Sequence, residues 1–234
     1  MHTKPHRRSF LLQSSAVVAG GLVGVPSAWR AGEQEKKEEE EDVSTNEDLM
    51  REHGVLNRIL LIYDEAIRHI GAHRDFDPAA LGKAAGLIQK FIEDYHEKLE
   101  ENHLFPRFEK AGKLVDLVKT LRSQHAAGRV LTGRILAATQ PADLPGIRGD
   151  LVAFVRMYRP HEAREDTVLF PALHSIVSKH EYDALGEEFD RIEEKTFGGD
   201  GFDMAVDQVT ELEKQLGLYE LSQFTPRTAP PAKK

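Results

Sequence analysis

Two stretches of the chain are versions of one another, His96-Glu97-Lys98-Leu99-Glu100-Glu101-Asn102-His103-Leu104-Phe105-Pro106 and His161-Glu162-Ala163-Arg164-Glu165-Asp166-Thr167-Val168-Leu169-Phe170-Pro171. Both reduce to H-E-x-x-E-[E/D]-x-x-L-F-P. On a helix, residues four apart lie on the same face, so each copy offers an imidazole and a carboxylate to a single ion. An isolated His and Glu pair at this spacing is ordinarily a surface pair worth a few tenths of a kcal/mol. Surface pairs, however, have no reason to recur with the same tail. Two such pairs facing each other would make a dinuclear site of histidine and carboxylate.

The other ligands can be sought by symmetry. Arg51-Glu52-His53 precedes the first copy and is followed by Leu56, Leu60, Tyr63 and Ile67; Ser123-Gln124-His125 precedes the second and is followed by Val130, Leu131 and Ile135. Each half thus pairs a helix carrying a lone histidine with a helix carrying His-x-x-x-Glu. This order, doubled and ending in Leu-Phe-Pro, resembles the hemerythrin-like family, or HHE cation-binding domain, over roughly residues 44 to 197. The resemblance implies two non-haem iron ions, with His53, His96, His125 and His161 as terminal ligands and Glu100 and Glu165 bridging. It also implies an open position at which dioxygen or a similar small ligand binds. Manganese and zinc also suit such mixed ligands, but the resemblance favours iron.

The chain departs from the marine oxygen-carrying hemerythrins, which have a fifth histidine on the third helix and an Asp rather than a Glu on the fourth. Other family members use a further carboxylate, and Glu97 is the matching position. His103 is the alternative, displaced by about 10 Å along the helix axis, with Val168 in the equivalent place of the second copy. A ferritin-like di-iron enzyme would need Glu-x-x-His on two helices. Glu93 to His96 satisfies this, but Tyr158 to His161 does not. His69, His73, His174 and His180 fall off the ligand faces or in connections.

Three functions are compatible with such a centre. The first is binding or sensing of dioxygen, favoured by apolar residues expected around the ions: Leu56, Leu60, Phe91, Leu104 and Leu169. The second is a redox enzyme consuming peroxide, nitric oxide or dioxygen, for which Glu101, Asp166, Tyr63, Tyr95 and Tyr158 are the visible groups for moving protons or electrons, the tyrosines reading first as core. The third is iron storage or buffering.

Residues 1–30 read as an export segment. Arg7-Arg8-Ser9-Phe10-Leu11-Leu12 resembles a twin-arginine signal, followed by an apolar, glycine-containing run from Ser14 to Val25 that is short for a transmembrane helix. The twin-arginine translocase carries folded proteins and is the expected export partner, giving an extracytoplasmic, periplasmic location; Val25-Pro26-Ser27 is a cleavage site by composition, and only an uncleaved signal would leave a membrane anchor. The chain has no cysteine, which excludes disulfides, iron–sulfur clusters and thiolate zinc sites. Its net charge of −8 and lack of a basic patch argue against nucleic acid. Much of that charge lies in residues 31–45, read as an acidic tether that buries too little apolar area to order. Residues 223–234, with Pro230-Pro231, read as a disordered tail.

The remainder has helical periodicity throughout. Helices are expected from about 46 to Gly71, from Asp77-Pro78 to Gly112, from about 114 to 138 and from about 147 to 178, with two more over 180 to 196 and 202 to 216. Pro160, just before His161, is expected to free the carbonyl of Arg156 and kink the fourth helix. The fold expected is all-α: an antiparallel four-helix bundle over 46–197 with additional C-terminal structure over 198–222.

Overall fold

The Ser44 side chain accepts a hydrogen bond from the Glu47 amide and opens helix α1, Thr45–Gly71. Asp77 does the same for Ala79, and Pro78 supplies the first helical residue of α2, which runs over 78–111 and stops at Gly112 in the left-handed conformation that glycine adopts without strain. Helix α3 is Val115–Thr139, and α4 covers 144–173. A capping box of Ser178 and Glu181 starts α5, Lys179–Phe197, and Asp200 caps α6, Gly201–Leu216. The structure is a computed structural model and describes residues 43–140 and 144–226. The arginine pair, the leader and nearly all of the acidic stretch lie outside the described residues, as do 227–234.

Helix α1 packs against α2 and α4, and α3 also packs against α2 and α4, which closes a ring of four. Short connections make consecutive members antiparallel. Helix α6 lies against α1 and α2, and α5 against α1. Arg58 of α1 fastens α6 by hydrogen bonds to Thr210 and to both carboxylate oxygens of Glu213. Among the described residues there is no strand, and no helix is long and apolar enough to cross a membrane.

The fourth helix begins earlier and ends sooner than its periodicity predicts, at 144 and 173 rather than 147 and 178. After Leu173 the chain turns, and the capping box of Ser178 begins α5. The helix runs on through Pro160 to Arg164. Helix α2 is π-helical over Ile88–His96, and both α2 and α4 contain a further wide π-helical turn, Glu100–Leu104 and Glu165–Leu169, in which the amide of Phe105 bonds the carbonyl of Glu100 and that of Phe170 the carbonyl of Glu165, five residues back. The cause of these two turns is the proline that follows each. Pro106 and Pro171 have no amide to donate, and their rings crowd the carbonyl four residues earlier, so the turn before them opens. Leu104, Phe105, Leu169 and Phe170 are buried in the core, while the exposed Pro106 and Pro171 reshape the two turns that carry Glu100 and Glu165.

One half of the bundle interior is apolar: Leu60, Tyr63, Ala84, Phe91, Ile135, Leu151 and Phe154 are all buried. Each large side chain removed from water contributes roughly 1.5–3 kcal/mol. The other half buries Glu52, His53, His96, Glu100, His125, His161 and Glu165. Burial of charge at that density is unfavourable unless a partner compensates it.

Candidate metal centre

The four histidines form two pairs. His53 and His96 bring their Nε2 atoms to 3.0 Å, and His125 and His161 bring theirs to 3.2 Å. Metal–nitrogen bonds of about 2.1 Å at right angles put two nitrogens about 3 Å apart. Glu100 and Glu165 lie between the pairs. A Glu165 oxygen is 3.0 Å from His161 Nε2 and 3.5 Å from His53 Nε2; a Glu100 oxygen is 3.4 Å from His125 Nε2 and 3.9 Å from His96 Nε2. Each carboxylate thus touches both pairs. Two triads result, His53 with His96 and Glu100, and His125 with His161 and Glu165, each tight enough for one ion.

Every histidine is held from behind through Nδ1. His53 faces Asp166 at 2.7 Å, His96 faces Glu52 at 2.6 Å, His125 faces Glu101 at 3.1 Å and His161 faces the Gln124 side-chain oxygen at 2.9 Å. An acceptor there places the ring proton on Nδ1 and leaves the Nε2 lone pair aimed inward. Phe170 stacks on His53 and Phe105 on His125, each with ring centroids 5.5 Å apart, so the phenylalanine of each Leu-Phe-Pro triplet fixes the histidine of a neighbouring helix.

All four oxygens of Glu100 and Glu165 are buried and find no hydrogen-bond donor. Burial pushes both carboxyl groups upward, Glu165 to about 8, and the proximity of Glu165 raises Glu100 further, well above the ordinary range. Burial also lowers His53 and His125 to about 4 and His161 to about 3, so their imidazoles are uncharged at neutral pH. Burial lowers His96 as well, but Glu100, Glu52 and Glu165 outweigh it and raise the group to about 10. Four Nε2 atoms turned inward around two carboxyl groups that no donor satisfies make a donor set that fits divalent cations, whose binding would displace the protons retained by His96, Glu100 and Glu165.

Glu97 sits elsewhere. Its oxygens accept from the Tyr158 hydroxyl at 2.6 Å and from Arg129 at 2.6 Å, and it lies 4.0 Å from His125 Nδ1, on the outer side of that ring. With Glu101 and His125 it forms a further cluster, but the Arg129 guanidinium already bonds both carboxylates, at 2.6 and 2.7 Å. Burial raises Glu97 to about 7 against the pull of Tyr158 and Arg129. The Tyr158 hydroxyl reaches Glu97 across Gly128, where an added Cβ would come within 2.0 Å of it. His103 takes no part in the histidine and carboxylate clusters, its ring edge-on to Phe189 at 5.6 Å. Sequence reasoning passed over Glu52, Gln124 and Arg129. The signal was present, since Glu52 and Gln124 each directly precede a lone histidine and Arg129 follows His125 by one turn.

The geometry defines a helical-bundle protein with a paired histidine and carboxylate cation site. The chain matches the Hemerythrin HHE cation binding domain over residues 44–173 and belongs to that family. It is 47% identical over 231 residues to proteins of Mycobacterium bovis and Mycobacterium tuberculosis, described as uncharacterized, covering 94% of this chain and 91% of each relative. No solved structure matches it.

Proposed function

We propose that this chain is a non-haem di-iron protein that binds or senses dioxygen, or a related small oxidant, outside the cytoplasm. The observation that carries this reading is the placement of Glu100 and Glu165, buried, undonated and each touching both histidine pairs. An iron pair there would supply reversible electron exchange with a small oxidant. His53, His96, His125 and His161 would hold it, with Glu100 and Glu165 placed to be shared by both histidine pairs. Asp166, Glu52, Glu101 and Gln124 orient the imidazoles, and Phe105 and Phe170 keep water from the ring faces. Adding dioxygen to the anaerobic, iron-loaded protein is expected to give an absorbance change that reverses on deoxygenation.

A second reading, a di-iron redox enzyme, is favoured by one feature. Arg129, which is 30% exposed, bonds Glu101, which in turn meets His125 Nδ1, making a continuous polar path from solvent to a proposed ligand. Sustained consumption of peroxide or nitric oxide with a reductant, faster than about 1 per second, would establish that reading and remove the first. The location rests on Arg7-Arg8. Replacing both with lysine is expected to leave iron-loaded protein in the cytoplasm, and unchanged export would refute the twin-arginine route.

A further inference from the structure

The centre is built on an approximate two-fold relation that exchanges α1 with α3 and α2 with α4. His53 answers to His125, His96 to His161 and Glu100 to Glu165. The outer partners follow the same rule: Asp166 on His53 corresponds to Glu101 on His125, and Phe170 on His53 to Phe105 on His125. Glu97 corresponds to Glu162, each held by the residue one turn after a lone histidine, Arg129 for Glu97 and Asn57 for Glu162.

The relation breaks in charge at Glu52 against Gln124, at Asn57 against Arg129 and at Lys98 against Ala163. Behind His96 stands the carboxylate of Glu52, whereas behind His161 stands the neutral amide of Gln124. Where the first half has neutral Asn57, the second has the guanidinium of Arg129, which bonds Glu101 at 2.7 Å and so draws that carboxylate's charge away from His125; Lys98 does the same at 2.6 Å. An imidazole whose Nδ1 proton is held by a carboxylate is a stronger donor at Nε2 than one held by an amide or by a carboxylate already paired with cations. His53 and His96 each have an acidic partner behind them. His125 and His161 have, between them, one carboxylate neutralised by bases and one amide.

We propose that the two ion positions are unequal, the one between His53 and His96 holding its ion more tightly and the one between His125 and His161 being the exchangeable position, and that Gln124 and Arg129 make them so. The proposal rests on the reading of the centre as dinuclear. Replacing an outer partner of a metal-bound histidine typically changes affinity about 10- to 100-fold, which sets the expected separation. Gln124 and Arg129 are positioning residues; neither reaches the ions.

The test is release of iron from the full-length, iron-loaded protein to a coloured ferrous chelator in excess, under reducing anaerobic conditions. The wild-type chain is expected to release its iron in two phases of equal amplitude. Loss of one ion alters the surroundings of the other in any dinuclear centre, so the variants decide. Q124E should slow the fast phase about 10- to 100-fold, and E52Q should speed the slow phase by a similar factor. Both exchanges keep side-chain shape, and R129N gives an independent slowing of the fast phase should Q124E fold poorly. Two irons released with rates that neither Q124E nor R129N shifts, or a fast phase accelerated by Q124E, would overturn the inequality while leaving the dinuclear reading intact. A wild-type chain that takes up only one iron would overturn both.

Discussion

The bundle has two ends of opposite character. Around Leu60, Tyr63, Phe91 and Phe154 its interior is apolar and closely packed, with Phe154 edge-on to Tyr63 and stacked on Tyr158 at 4.3 Å. Around His53, His96, His125 and His161 the same four helices bury carboxylates that no donor satisfies. One end stabilises the fold by removing hydrocarbon from water, and the other is held against its own desolvation cost. Stability and chemistry are therefore separable along the helix axis, and substitutions at the two ends should fail in different ways.

The largest effect is expected at the polar end. Glu100→Ala and Glu165→Ala should each remove most of the bound iron, because each carboxylate reaches both histidine pairs, while leaving the helical content of the metal-free protein intact; elemental analysis with circular dichroism checks this. At the apolar end the pattern reverses. Phe154→Ala should cost about 3–5 kcal/mol of unfolding free energy in denaturant titrations, with and without metal, yet leave the iron content of the folded fraction unchanged.

Gly128→Ala should sharpen the boundary between the ends. Its Cβ would collide with the Tyr158 hydroxyl, costing about 1–3 kcal/mol by overpacking and uncoupling Tyr158 from Glu97. Thermal unfolding of Gly128→Ala and Tyr158→Phe together should show effects that do not add. The pH dependence separates the ends without mutation. Folding raises Glu165 and Glu162 to about 8, Glu97 to about 7 and His96 to about 10, so the metal-free fold retains these protons longer than the unfolded chain does and loses stability as pH rises, from 4.5 for the carboxyls and from 6.5 for His96, through those values. His53, His125 and His161 act on the other side, where their lowered values remove stability only as pH falls below 6.5. Bound ions replace protons, so the stabilisation by iron should grow between pH 6.5 and 8 by about 1.4 kcal/mol per pH unit for each proton displaced. Calorimetry of the two forms at several pH values measures it. The smallest effects belong to the remaining candidates: Glu97→Ala should lower iron content less than Glu100→Ala, and His103→Ala not at all.

The helices, their caps and the residues that meet at the centre were legible in the chain because each is a local pattern: Ser44 and Asp77 before apolar stripes, His four residues before Glu, Leu-Phe-Pro after each pair. The partners of those residues were not. Whether Glu97 turns inward or pairs with Tyr158 and Arg129 depends on how α2, α3 and α4 are rotated against one another, which periodicity along one helix does not encode. The π turns at Glu100–Leu104 and Glu165–Leu169 were hidden for a related reason. Proline announces a disturbed turn, but whether the helix kinks or widens is decided by packing: Pro106 and Pro171 follow widened turns, while Pro160 lies inside a helix that continues.

The most direct measurement is the iron content of protein from iron-replete cells, combined with Mössbauer spectroscopy of the loaded chain. Two irons per chain, magnetically coupled through shared carboxylates and lost together in Glu165→Ala, is the expected result. A single zinc with no iron, or two irons without coupling, would contradict the bridging placement of Glu100 and Glu165 from which the proposed function follows.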